Sequence, residues 1–453
     1  MTTDKRWRVI PRILPKFLGA TAVCVAVVLA SCSPAVESEP LVQTDATSEH
    51  WVGSWAAAQV ARPLASEAGE GTPTGYSDVN IADQTLRQIA NISLGGERIR
   101  LVLTNAFGTV PLDIGAAHVA LRDTGAAIIP ESGRVVTFGG LPTTSIPAGA
   151  VVVSDPVTLT VPSLADLAID LYIAEETGAT MSPLTVLPAS WQTNYLSPSG
   201  DHTGATEMPV EAETTYTRGD GTQTSTWFFL ARVEVEAPES VGAVVTLGDS
   251  ITNGSRSTLD TNNRWPDHLA RRLVASGIEM GVLNVGIGGN RVLSDGSSVS
   301  ALARFDRDVL AQTGATHVVV MDGINDIGSA RENPSPTAED LIAGHKQLIE
   351  RAHAKNLMII GATLTPFEGA NYWTAEGEEK RQALNEWIRT SGVYDAVIDF
   401  DEFLRDPNEP TKFLPEFDPG DHLHPNDAGY EAMANSIDLE LLRSTSVLTT
   451  ASR

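Results

Sequence analysis

The stretch VVTLGDSITNG, residues 244–254, decides the fold. Val244, Val245, Thr246 and Leu247 have the apolar and β-branched character of a buried strand, yet the run passes at once into Gly248-Asp249-Ser250. Glycine and short polar residues make turns at little steric cost, so an ordinary loop is one reading. The other is that the strand serves to hold the Ser250 hydroxyl still.

After Val241 the rhythm is strand, loop, helix. Apolar strands are expected at 244–247, 281–285, 316–321 and 357–362, with helical patterns at 265–275, 301–312, 338–354 and 378–389. Apolar strands alternating with amphipathic helices predict an α/β fold, a three-layer α/β/α parallel sheet covered on both faces. In such sheets ligands bind outside the carboxyl ends of the strands, and Ser250 falls there.

Residues 51–237 follow a different period. Arg98-Ile99-Arg100-Leu101-Val102-Leu103 and Leu167-Ala168-Ile169-Asp170-Leu171-Tyr172-Ile173 alternate in twos, and Leu94-Gly95-Gly96-Glu97 and Phe138-Gly139-Gly140 punctuate the runs. This predicts an all-β sandwich, jelly-roll-like, with 227–235 as its last strand and Ala237-Pro238-Glu239-Ser240 as a short joint. The expected organisation is thus a β domain over 51–237 and an α/β domain over 238–445, with 446–453 as a tail. A chain of 453 residues exceeds what one hydrophobic core usually fills, which agrees with two domains.

With 42% hydrophobic and 19% charged residues the chain is globular rather than a solvated polyelectrolyte. A net charge of -26, with no Lys/Arg cluster in the body, argues against nucleic acid as a partner. Lys5, Arg6, Arg8, Arg12 and Lys16 precede an apolar run at 17–31 that is too short to span a bilayer comfortably. It ends in Leu29-Ala30-Ser31-Cys32, which resembles the lipobox of bacterial lipoproteins. The resemblance implies cleavage before Cys32, a lipid on its sulfur, and an exported protein anchored to a membrane of the cell envelope; two or more acyl chains anchor stably where one does not. Residues 33–50 then read as a flexible tether. Cys24 leaves with the signal and Cys32 carries the lipid, so the mature body has no disulfide, thiolate metal site or cysteine nucleophile.

Four short stretches stand at or beside strand ends: Gly248-Asp249-Ser250-Ile251, Asn284-Val285-Gly286-Ile287-Gly288-Gly289-Asn290, Gly323-Ile324-Asn325-Asp326 and Asp421-His422-Leu423-His424-Pro425. Each alone is an ordinary turn or loop sequence. Together, in this order, they resemble the SGNH (GDSL-type) hydrolase family over roughly residues 241–445, with Ile251 in place of the leucine of the GDSL label. The resemblance implies a flavodoxin-like SGNH hydrolase fold and a serine carboxylic-ester hydrolase without cofactor or metal.

Ester hydrolysis explains the residue types. A serine hydroxyl is a weak nucleophile until an adjacent base takes its proton. His424 is the expected base and Asp421 the carboxylate that orients it, with Ser250 as nucleophile. The family pattern Asp-x-x-His selects His424 over His422, which spacing alone does not. Pro425 suits the first turn of a helix at 426–442. The resemblance assigns the oxyanion hole to the backbone N–H groups of Ser250 and Gly289 and to the Asn325 side chain, although Gly288 could take the place of Gly289. Asp326 is expected to hold its loop rather than react. His268, His317, His345 and His353 show no metal-type spacing.

The segment Lys380-Arg381-Gln382-Ala383-Leu384-Asn385-Glu386-Trp387-Ile388-Arg389 and the run from Gly420 to Tyr430 are similar to a subgroup of xylan-associated arylesterase/acylhydrolases, as are the Gly53-Ser54-Trp55-Ala56 and Leu103-Thr104-Asn105-Ala106-Phe107-Gly108 stretches of the β region. This implies an acylated small molecule or polysaccharide as substrate, and a carbohydrate O-acetyl esterase as the function. Aromatics such as Trp191 or Tyr195 would then line a sugar-binding face if exposed, or belong to the core, as most aromatics of a sandwich do. The alternatives are a lipase or arylesterase acting on longer acyl or aryl esters, and a non-catalytic surface-binding lipoprotein.

Overall fold

The computed structural model describes residues 49–62, 80–177, 183–328 and 335–443. The signal segment, Cys32, the tether up to residue 48 and the tail at 446–453 lie outside the described residues. No described helix is long and apolar enough to cross a membrane. Glu49 and His50, expected as the end of the tether, are tied down: Arg98 donates to Glu49 at 2.9 Å, and the His50 ring meets the Val241 carbonyl at 2.9 Å.

Five parallel strands lie in the order Met280–Asn284, Gly242–Gly248, Ala315–Met321, Met358–Ala362, Ala396–Ile398. In chain order this is 2-1-3-4-5, so the direction of winding reverses beside the first strand, Gly242–Gly248, and opens a crevice at its carboxyl end. The strand is buried at every residue, as expected for a central parallel strand. Trp265–Ala275 is a helix over the expected residues, with Asp267 closing a capping box at Arg264. Ala338–His353 begins with a capping box between Thr337 and Asp340.

Some elements depart from expectation. The helix expected at 301–312 is α-helical only over Ala301–Phe305 and widens into a π turn over Asp306–Leu310. The helix expected at 426–442 is Asp427–Ser436, capped by the Asn426 side chain on the Gly429 N–H, and is followed by a separate 3-10 turn at Leu439–Leu442. Pro425 therefore precedes the cap instead of filling the first turn. The strand Ala396–Ile398 and the short helices Ser250–Asn253, Ile324–Gly328 and Phe400–Leu404 carry too few residues to show a period.

Toward the N-terminus the strands are antiparallel. One sheet runs Trp51–Ala56, Leu230–Glu236, Gly96–Thr104, Val157–Val161, and another centres on Gln84–Asn91 and Asp166–Ile173. The run at 227–235 is not one strand. Phe229 takes φ +57°, and the chain changes sheets there, from Thr226–Phe228 to Leu230–Glu236.

The described residues from Glu49 to Arg443 form one compact unit. The larger of two hydrophobic clusters runs from Trp55 and Trp227, whose rings meet edge to face at 4.9 Å, into Leu283, Val245 and Trp265. The Trp51–Ala56 strand lies against Met280–Asn284, and each bonds to a neighbouring turn: the Gly53 N–H donates to the Thr313 carbonyl at 2.9 Å, and Ser93 Oγ accepts from the Val282 N–H at 2.8 Å. Gly281 permits this approach, since a β-carbon there would collide with the Gly53 carbonyl. Gly281→Ala should cost about 1–3 kcal/mol by overpacking, read as a lower urea midpoint with unchanged slope; an unchanged midpoint would show that the contact is loose.

Candidate active site

The turn after Gly242–Gly248 is built by sterics and one carboxylate. A β-carbon at Gly248 would come within 2.5 Å of the Met321 carbonyl oxygen and overlap Thr252. Asp249 then caps the short helix Ser250–Asn253, its Oδ1 accepting from the Ile251 N–H at 2.8 Å. Gly254, at φ +101°, ends it. These constraints aim Ser250 out of the sheet end at 9% exposure.

Ser250 Oγ lies 2.8 Å from His424 Nε2, and His424 Nδ1 lies 2.8 Å from Asp421 Oδ2. A carboxylate only accepts, so Nδ1 carries the proton and Nε2 is free to accept from the serine hydroxyl. Asp421 Oδ1 also accepts from the backbone N–H groups of Leu423 and His424, at 3.1 and 3.0 Å. Partial burial raises the Asp421 carboxyl. The hydrogen bond and charge of His424, its backbone N–H and the Arg256 guanidinium outweigh that and hold the group well below the usual carboxylate range. His422 points elsewhere: it is exposed, has φ +58°, and pairs through Nδ1 with Asp418.

Asn325 stands on the Ile324–Gly328 helix after the third parallel strand. Its Nδ2 donates to Asn290 O at 3.0 Å and lies 3.5 Å from Asp249 Oδ2, and Tyr372 donates to its Oδ1 at 3.4 Å. Gly289 takes φ +72°, a conformation that favours glycine, whereas a β-carbon at Gly288 would meet nothing within 4 Å. Gly286 leaves no such room, because Asn253 packs directly against it. Asp326 accepts from the backbone N–H groups of Val292 and Leu293 at 2.8 and 3.0 Å, so it ties the loop of the second block to that of the third. Burial pushes its carboxyl up to about 6, against the pull of those N–H groups and Arg291.

Sequence reasoning missed Arg304, which is fully buried behind the site. It donates to the Gly248 carbonyl at 3.0 Å, the Val285 carbonyl at 2.7 Å and Asn290 Oδ1 at 2.9 Å, joining the ends of two strands to the second block. Asp249 and Asp322 lie in the same interior; burial raises both carboxyls, aided by the charge of Asp326 at Asp249 and by the charges of Asp249 and Asp326 at Asp322, and Arg304 opposes the rise. An arginine on an amphipathic helix reads as a solvated residue, so no signal marked it. His345 is buried on its helix between Tyr394 and the Asp322 carbonyl, and burial lowers it to about 4. His353 pairs with Asp395, His268 sits on the Trp265–Ala275 helix and His317 in the third strand. Among the described residues no group of three or more His, Cys, Asp or Glu is placed to hold a metal ion.

Trp191 and Tyr195 do not form an exposed sugar face. They are 3% and 6% exposed. Trp191, at φ +55°, donates through Nε1 to Asn253 at 3.2 Å, and Tyr195 packs with Ile89, Ala168 and Met208.

Residues 246–432 match the GDSL-like Lipase/Acylhydrolase family. This stretch is a GDSL-like lipase/acylhydrolase domain. Its presence makes the protein a carboxylic ester hydrolase. Solved structures similar to the domain include a lipolytic protein of the G-D-S-L family from Desulfitobacterium hafniense, 24% identical over 43% of this chain and 96% of that one, with a TM-score of 0.34. An acetyl-xylooligosaccharide esterase from a Geobacillus is 22% identical over 43% and 91%, with a TM-score of 0.34. A lipase/acylhydrolase from Enterococcus faecalis is 22% identical over 45% and 95%, with a TM-score of 0.36. Among curated proteins none matches the chain.

The two histidines of the fourth block of the GDSL-like domain have separable environments. His424→Ala should lower kcat for an aryl ester by about 10³-fold or more, while His422→Ala should leave it within the same order of magnitude. The reverse ranking in steady-state kinetics would show that the wrong imidazole faces Ser250.

Proposed function

We propose that the protein removes acetyl groups from a carbohydrate by serine catalysis. Ser250 attacks the ester carbonyl, His424 takes its proton and returns it to the departing alcohol, and Asp421 holds the imidazole and stabilises its charged form. The oxyanion is met by the N–H groups of Ser250 and Gly289 and by Asn325 Nδ2. The observation that carries this reading is the unbroken line of two 2.8 Å contacts from Ser250 Oγ through the His424 ring to Asp421.

A polar substrate is supported by a groove of about 370 Å³ lined by Asn91, Arg122, Leu164, Asp166, Thr261, Asn262 and Arg271, in which Asn91 and Arg122 both bond to Asp166 and Arg271 to the Asn262 carbonyl. Thr261 and Asn262 belong to the loop that follows the Ser250 helix, and the other side comes from the N-terminal strands. Amide, guanidinium and hydroxyl groups suit the hydroxyls of sugar units, and this groove replaces the aromatic face expected from Trp191 and Tyr195. We further read the N-terminal strands as a jelly-roll-like sandwich domain over 51–237 beside a three-layer domain over 238–445. The mature protein, in this reading, is held to a membrane of the cell envelope by lipid on Cys32.

Acetate release from acetylated xylan, with aryl esters of graded chain length alongside, tests the proposal. Turnover should fall from acetate to octanoate and vanish in Ser250→Ala. A rise toward octanoate would replace it with a lipase, and the absence of any Ser250-dependent hydrolysis would leave a surface-binding protein. Asn325→Ala should lower kcat by about 10²–10³-fold with little change in KM; unchanged kcat would remove Asn325 from the oxyanion hole.

A further inference from the structure

Asp421 is held from two sides. His424 Nδ1 meets its Oδ2 at 2.8 Å, and Arg256 Nε donates to the same oxygen at 2.8 Å. The rest of the guanidinium faces away from the α/β part: Nη1 donates to Thr222 Oγ1 at 2.5 Å, and Nη2 lies 3.1 Å from Asp220 Oδ2. Asp220 and Thr222 form the tip of a hairpin between Tyr216–Thr217 and Gln223–Thr224 in the N-terminal strands. The tip is itself closed, with Asp220 Oδ1 accepting from the Thr222 N–H at 3.0 Å and the Thr222 carbonyl accepting from the Arg218 N–H at 2.8 Å.

Arg256 lies on a strained and pinned loop. It takes φ +74°, and Asp260 and Asn262 in the same loop take +63° and +52°. Left-handed non-glycine residues cost of order 1–3 kcal/mol each and persist where surrounding contacts impose them. Here Asp260 accepts from Gln192 and from Thr193, Asp427 accepts from Thr258 and Asn263, and Tyr430 donates to the Ser255 carbonyl at 2.6 Å. The segment carrying Asp421 is a turn, with Gly420 at φ +100° and His422 at φ +58°, and a second anchor fixes the plane of its carboxylate. A guanidinium fork can bridge two carboxylates in fixed geometry, which an ammonium cannot.

We propose that Arg256 is a positioning residue for the Asp421–His424 pair and that the Asp220–Thr222 hairpin tip is part of the active site. The N-terminal strands then complete the catalytic geometry as well as contributing to the polar groove. This inference rests on the reading of Ser250, His424 and Asp421 as a triad.

The test is steady-state hydrolysis of an aryl acetate by the full chain carrying Arg256→Ala, Asp220→Asn, both, or Ser250→Ala. Arg256→Ala should lower kcat on the order of 10²-fold, the effect of a misplacement of about 1 Å, with KM changed less than about threefold. Millimolar guanidinium should restore part of the lost turnover, a recovery that a folding defect would not show. Asp220→Asn should lower kcat by a smaller factor and should lower it no further once Arg256 is gone. Turnover of Arg256→Ala within about threefold of the parent, or an undiminished Asp220→Asn effect in the double variant, would overturn the proposal. If Arg256→Ala fails to fold, Asp220→Asn and Thr222→Val decide: a lower kcat at unchanged KM supports the hairpin's role, and parental turnover in both sinks it. Parental turnover in Ser250→Ala would instead defeat the triad reading, whatever Arg256 does.

Discussion

The site depends on the absence of one side chain. At Gly248 the Gly242–Gly248 strand passes so close to the Met321 carbonyl and Thr252 that no β-carbon fits, and this proximity lets the chain turn directly into the Ser250–Asn253 helix. Asp249 fixes the turn through the Ile251 N–H, and Arg304 fixes the strand ends through the Gly248 and Val285 carbonyls. A serine hydroxyl delivered by a longer or freer connection would lose the near-attack geometry that accounts for much of catalysis.

Around this turn the structure uses long-range contacts rather than local ones. His424 reaches Ser250 from the loop before the Asp427–Ser436 helix, Asp326 joins the second and third blocks, and the Gly254–Arg264 connection is gripped by Gln192 of the N-terminal part, by Asp421 of the fourth block and by Asp427 after it. One core passes through both halves of the chain, with Gly53 seated on Gly281. The N-terminal strands and the parallel sheet thus share one close-packed interior, of the kind that transmits strain.

Where the signal was local, the sequence was readable. The Gly242–Gly248 strand, the Trp265–Ala275 helix and the four blocks follow from periodicity, turn chemistry and resemblance, and the geometry brings Ser250, His424 and Asp421 into one line. What stayed hidden was non-local or too short. Ala396–Ile398 has three residues, and the break at Phe229 comes from the chain changing sheets inside an unbroken apolar run. Trp191 looked like a surface aromatic, yet its ring is enclosed at the seam and bonded to Asn253, a partner 62 residues away. Arg256 meets Asp421 across 165 residues. Its neighbours in Ser255-Arg256-Ser257-Thr258 carry only ordinary turn composition.

The most direct measurement of the central claim is a crystal structure of the protein after reaction with a fluorophosphonate. The phosphorus should be bonded to Ser250 Oγ, with its phosphoryl oxygen about 2.7–3.1 Å from the N–H groups of Ser250 and Gly289 and from Asn325 Nδ2, and with the imidazole of His424 still on Asp421. A phosphorus on another residue, or a phosphoryl oxygen facing solvent while Asn325 keeps its bond to Asn290, would contradict the account.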